Sequence, residues 1–246
     1  MYLYDWNSVT ESFRNQLKSF TDNIRLLEQS AKVFFEKLNE TTKPVRAFYI
    51  LAEHQFTYWE LLCKDEAERL VSVNDVDGYL VEKIEDKSFI NYDVLCDRMI
   101  QSQLLLDVNK SILIQTVEAM NHELYDLALV GAITVFDGAL SAATKDDSTQ
   151  LIARINKIKK KIDGLSEEQW ESLAEKDMSV FGMYITWTES LKGFQRSSDF
   201  SKPELEPAEL NRHWIAHGRK TSTASKLDCC KMINLLYGLI YFGDSE

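Results

Sequence analysis

Chain breakers are scarce in this sequence. Its 246 residues include only three prolines and nine glycines, against average shares of roughly 5% and 7%. So few turn formers argue against a strand-rich sandwich or barrel and favour long helices. Cysteine is sparse too. Cys63, Cys96, Cys229 and Cys230 make no C-x-x-C pair, so no zinc ribbon or redox motif is present, and the four read as buried thiols in a reducing compartment. Long apolar runs are missing. The longest, Leu127–Phe136 and Leu235–Phe242, fall short of the roughly 20 residues of a membrane span. The start, Met1-Tyr-Leu-Tyr-Asp-Trp6, lacks the basic-then-apolar order of a signal peptide. The expectation is a soluble, cytoplasmic protein with no membrane partner. Excess positive charge is also absent: the net charge of −11 argues against a protein that coats nucleic acid through its overall field.

What is present is the balance of a globular chain, 45% hydrophobic and 27% charged, which sets aside disordered and collagen-like classes. Helical periodicity dominates. From Ser8 to Leu38, apolar residues recur at spacings of three and four (Val9, Phe13, Leu17, Phe20, Ile24, Leu27, Ala31, Phe34, Leu38), the stripe of one long helix. A second helix is expected from Val45 to about Val71, giving an antiparallel hairpin. Asn74–Gly78 is turn chemistry. It also resembles a calcium loop, but with Gly78 at position 6 the first and twelfth positions are Val73 and Ile84, which cannot serve as ligands. Further helices are expected over Tyr92–Val117, His122–Ala143, Leu151–Ile162, Ser166–Glu175 (opened by a capping box at Ser166–Gln169), Ala208–His217 and Lys226–Phe242, with a helix or a gate-like segment over Phe181–Phe194. Pro207 suits the first turn and Gly218 the end of the Ala208–His217 helix. Small residues on the His122–Ala143 helix would let a neighbour approach closely. The organisation reads as an N-terminal helical region over 1–97, a long hairpin plus an acidic connector, followed by a helical bundle over 98–246. Residues 1–100 carry 12 basic and 18 acidic groups, more than half of the net charge, whereas 202–226 has five basic and three acidic.

The densest chemistry lies at Leu210-Asn-Arg-His-Trp-Ile-Ala-His-Gly-Arg219. His213 and His217 share a helix face at i, i+4, the spacing of H-E-x-x-H zinc enzymes, but Trp214-Ile215-Ala216 supplies no glutamate base and no third ligand is evident. Neither a metal nor another cofactor is expected. Arg212 and His217 suit phosphodiester chemistry instead. Arginine offers a planar, permanently charged fork for phosphate, and histidine moves protons near neutral pH. On an ideal helix the two lie about 140° apart, so a two-fold dimer would assemble a shared site more naturally than one helix. A plainer reading is a basic helix end that complements the macrodipole. The helix over Leu151–Ile162 carries Arg154, Lys157, Lys159, Lys160 and Lys161. It reads as a solvated face around a stripe of Ile152, Ile155, Ile158 and Ile162, with backbone contacts to RNA as the alternative. Trp170, Trp187 and Trp214 read as core.

The pattern Arg212-His213-Trp-Ile-Ala-His217-Gly218 resembles the signature of HEPN domains: Arg, four to six residues, then His, with Asn, Asp or His after the Arg. One branch has Arg-x-x-Ile-x-His-Gly, which fits Arg212, Ile215, His217 and Gly218. It also has an earlier helix ending in an apolar stretch, an acid and a glycine. Val135-Phe-Asp-Gly138 resembles that feature, with Asp137 where Glu is more usual. The resemblance covers about residues 100–246.

It implies an all-α helical bundle with a HEPN-like C-terminal domain, dimerising so that two Arg-x-x-x-x-His copies meet. It implies a metal-independent endoribonuclease of toxin–antitoxin or phage-defence type, with RNA, a second copy of the chain and an antitoxin or defence-system protein as partners. Arg212 and His217 would be catalytic. His213, Asn211 and Asp137 would support them, Asp137 by orienting Arg212 or His217 through a charged hydrogen bond. Arg219, Lys220, Lys157 and Lys160 would contact RNA. Because some members have lost catalysis, the alternative is a non-catalytic RNA-binding or protein-interaction module, a regulator or scaffold of a defence system.

Overall fold

The computed structural model describes residues 43–57, 64–86, 92–146, 151–164 and 178–196, with most of 199–243. Ten helices and no strand occur among the described residues, so the chain is an all-α helical bundle. The expected helix over Ser8–Leu38, Cys63, the Ser166–Gln169 capping box and Trp170 lie outside the described residues.

The first described helix, α1 (Lys43–Glu53), turns Ala47, Phe48, Leu51 and Ala52 inward. It does not run on to Val71. Gln55 takes a left-handed φ of 54°. Its N–H donates to the Ala52 carbonyl (3.0 Å) and the Phe56 N–H to the Leu51 carbonyl (2.8 Å), a Schellman cap that closes the helix. The expected Val45–Val71 helix is therefore two, α1 and α2 (Lys64–Ser72), packed on each other. In α3 (Val76–Glu85), the Asp75 side chain accepts from the Gly78 N–H, so the Asn74–Gly78 turn is a helix N-cap. The helix expected over Tyr92–Val117 is likewise two, α4 (Tyr92–Met99) and α5 (Asp107–Asn121). Between them the Ser102 hydroxyl accepts from the Leu104 N–H (3.0 Å). That local bond competes with helix continuation.

The α5–α6 corner (α6 is Tyr125–Thr144) repeats the cap seen at Gln55. Glu123 is left-handed (φ 61°), which delays α6 three residues beyond the expected His122. Lys145 (φ 50°) closes α6 in the same way, and Gly218 (φ 61°) closes the short Arg212–Ala216 helix. Three of these four left-handed positions are not glycine, which costs each roughly 1 kcal/mol. A chain short of glycine thus still makes tight helix ends. Where glycine is used within α6, it serves packing: a Cβ on Gly131 would sit 2.3 Å from Thr116 Oγ1 and one on Gly138 2.3 Å from Asn109 Nδ2. The two helices lie as close as the run of small residues suggests.

Helices α7 (Leu151–Asp163) and α8 (Met178–Phe194) flank α6 and α1, and α10 (Lys226–Gly243) runs through the middle of the bundle, contacting α3, α4, α6, α7 and α8. Nearly all of α10 from Leu227 to Phe242 is buried. The core Trp187 donates its indole N–H to the Leu235 carbonyl of α10 (3.1 Å). One continuous core runs from Ala47 to Phe242, so residues before and after position 97 pack into the same interior. Cys96, Cys229 and Cys230 are buried and unbridged. Burial pushes the Cys96 thiol up to about 11 and the Cys230 thiol up to about 12, the signature of inert packing cysteines. By length and apolarity α6 alone among the described residues would span a bilayer. It is packed against α5, α7, α9 (Arg212–Ala216) and α10, and core helices of that composition are ordinary.

Candidate functional site

The helix expected over Ala208–His217 is only α9, five residues long. Its start is displaced from Pro207 to Arg212 because Asn211 is the residue that caps it. The Asn211 Oδ1 accepts from the N–H groups of His213 (3.0 Å) and Trp214 (3.3 Å). Its Nδ2 donates to the carbonyls of Arg196 (2.9 Å) and Gly193 (3.4 Å) at the end of α8. Asn211 is therefore buried and structural in its contacts. Trp214 and Ile215 turn into the core, Trp214 edge-on to Phe200. At the far end His217 is the C-cap and Gly218 reverses the chain.

That anchoring leaves Arg212, His213 and His217 on the outer side. Arg212 reaches across to α6 and grips Asp137: Nε is 3.1 Å from each carboxylate oxygen and Nη2 is 2.6 Å from Oδ2. This is a forked, charge-assisted contact between residues 75 positions apart, stronger and more directional than a single ion pair. Arg212 and Asp137 keep side-chain exposures of 17% and 29%, so the pair opens to solvent. His213 and His217 lie beside it with nearly parallel rings (11°) 6.1 Å apart. Burial first, then the positive charges of Arg212 and His217, hold His213 below the ordinary 6.5 of histidine, with Asp137 opposing. Phe200 backs the His217 ring, and the Arg219 guanidinium lies over Phe200 at 6.0 Å.

Not every residue singled out in the sequence joins this cluster. Lys220 is turned to the Ser222 and Thr223 carbonyls and to Asp228 (3.6 Å). Lys157 pairs with Asp146 and Lys160 stands exposed on α7. Among the described residues no three His, Cys, Asp or Glu side chains converge as metal ligands would.

Three participants escaped the sequence reading. Arg154 is not on the solvated face of α7. It is 4% exposed, donates to Ser141 Oγ (2.7 Å) and the Asp137 carbonyl (3.4 Å), and holds its Nη2 4.0 Å from Asp137 Oδ1. Ile152, expected in the apolar stripe, is exposed instead, while Ile155 and Ile158 are buried. The spacing carried that signal, since Leu151, Arg154, Ile155 and Ile158 fall at i, i+3, i+4 and i+7, the inward stripe of a helix. Phe200 carried none that was legible, nor did Gln55, whose side-chain amide bonds to the Leu210 N–H and carbonyl just ahead of α9. Set against protein-family models, characterised proteins and solved structures, the chain matches none.

Proposed function

We propose that the chain is a metal-independent endoribonuclease of toxin or phage-defence type, HEPN-like in its C-terminal part, with a composite site at a homodimer interface. The observation that carries this reading is the Arg212–Asp137 fork beside the stacked His213–His217 pair. Arg212 spends Nε and Nη2 on Asp137, which aims the guanidinium and leaves Nη1 for a phosphate oxygen. His217 would take the proton of a ribose 2′-hydroxyl. The 2′-oxygen then attacks phosphorus, the P–O5′ bond breaks, and the leaving 5′-oxygen receives a proton from the second copy's histidine. Arg212 would steady the added negative charge. The products are a 2′,3′-cyclic phosphate and a 5′-hydroxyl. Dimerisation finds support in the outer line of α6, where Val130 and Leu127 are exposed about two and three turns before Asp137. An apolar strip that ends at a charged site is what a two-fold partner would cover.

A second reading has its own support. Asp137 occupies much of the Arg212 fork, as it would in a non-catalytic RNA-binding or protein-interaction module of a defence system. Incubation of the purified protein with mixed RNA in excess EDTA separates the two. Cleavage that yields cyclic-phosphate ends and is abolished in both Arg212→Ala and His217→Ala is the expected result. A folded dimer that cleaves no RNA tested moves the assignment to the module.

A further inference from the structure

The backbone just ahead of the Arg212–His217 turn is not held by the turn's own neighbours in sequence. Leu210 precedes the N-cap, so neither its N–H nor its carbonyl belongs to a helix. Both are taken by one side chain 155 positions away. The Gln55 Oε1 accepts from the Leu210 N–H (2.6 Å) and Gln55 Nε2 donates to the Leu210 carbonyl (3.1 Å), with a longer bond to the Ser190 carbonyl (3.4 Å). A primary amide that pairs with both polar groups of a single residue acts as a short strand partner would. Gln55 is itself 7% exposed and sits in the left-handed cap of α1. Strained, buried positions persist where surrounding contacts over-determine them. The neighbourhood is shaped for this side chain: a Cβ on Gly193 would lie 2.4 Å from Gln55 Nε2. The carbonyl of the same Gly193 accepts from Asn211. The end of α1, the end of α8 and the start of α9 therefore meet in one knot, one residue before Asn211 and two before Arg212.

We infer that Gln55 is a positioning residue: its amide fixes the register of the Leu210–His217 segment and so makes the Arg212–His217 geometry depend on the N-terminal helices. The consequence for catalysis rests on the nuclease reading above; the mechanical coupling does not.

Hydrogen exchange on the full chain tests the coupling. Gln55→Met keeps length and apolar volume but removes all three bonds. Exchange across residues 210–217 is expected to accelerate by about tenfold or more, with α10 changed far less, as local opening requires. Leu113→Ala, in the core of α5, is the control: at a matched loss of melting temperature it should accelerate both regions alike. Gly193→Ala displaces the Gln55 amide without touching Leu210 and should reproduce the local effect, so it decides the matter if Gln55→Met does not fold. Equal acceleration of 210–217 and α10 in the folded variants would overturn the inference. In a cleavage assay Gln55→Met should lower kcat by about tenfold while KM stays within about twofold, because the defect lies in alignment. A wild-type protein that cleaves no RNA refutes the nuclease reading, and the exchange ratio still decides the role of Gln55.

Discussion

Asp137 is approached from two sides by arginine, and the two approaches differ in kind. Arg154 comes from α7, is almost wholly buried, and spends its hydrogen bonds on the Ser141 hydroxyl and on the backbone of Asp137, with the carboxylate 4.0 Å away. Arg212 comes from α9, stays partly exposed, and forks directly onto the carboxylate. One cation ties α7 to α6; the other faces two histidines and solvent. A basic residue in a motif and a basic residue in a charge run look alike in sequence. The acceptor each one finds on α6 separates a structural arginine from an accessible one.

The largest effect should come from the shared acceptor. Asp137→Asn keeps the shape but leaves two arginines without their carboxylate, and breaking such a pair costs about 3 kcal/mol. Thermal unfolding should show a drop of roughly 6–12 °C; a drop under about 2 °C would mean that the cluster is not tied through Asp137. Next comes Arg154→Met. It removes two hydrogen bonds but also a desolvated charge, so the net loss should be about 1–2 kcal/mol. The His213 ring should titrate as in wild type, whereas Arg212→Met should raise it. If the two arginine variants move His213 equally, the division between them fails. A smaller, pH-dependent effect follows from His213 itself. Its folded pKa lies below 6.5, so the unfolded chain binds the proton more readily, and stability is lost as pH falls from about 6.5 through the folded value. His213→Gln should flatten that part of the stability–pH curve. The smallest effect belongs to Lys157→Ala combined with Lys160→Ala. These outer-face lysines should change stability by under about 0.5 kcal/mol. Any loss of RNA affinity should appear as a shallower salt dependence rather than altered cleavage.

Much of this architecture was legible in the sequence. α6, α7, α8 and α10 lie within a few residues of where apolar spacing placed them, because each buries a continuous stripe. Errors fell where local chemistry overrode periodicity. Gln55 ends α1 although glutamine is a good helix former. Ser102 interrupts Tyr92–Val117, and Asn211 rather than Pro207 opens α9. At the candidate site, Arg212, His213, His217 and Asp137 all stand out in the sequence by residue type and spacing, and the bundle brings Asp137 onto Arg212. Gln55 was not legible, since a contact between residues 55 and 210 leaves no mark in either segment's own pattern.

The left-handed helix caps set a limit on how this chain can be improved. Glu123 and Lys145 occupy glycine-type geometry with side chains that stay exposed at the surface. Glycine at either place would release strain and remove nothing buried. Gln55 occupies the same geometry, but glycine there would strip the Leu210 clamp. A stability screen would reward the first two replacements readily. At the third, the roughly 1 kcal/mol of strain released is smaller than the cost of leaving the buried Leu210 N–H and carbonyl unpaired, so stability and a well-aligned Arg212–His217 turn both keep glutamine.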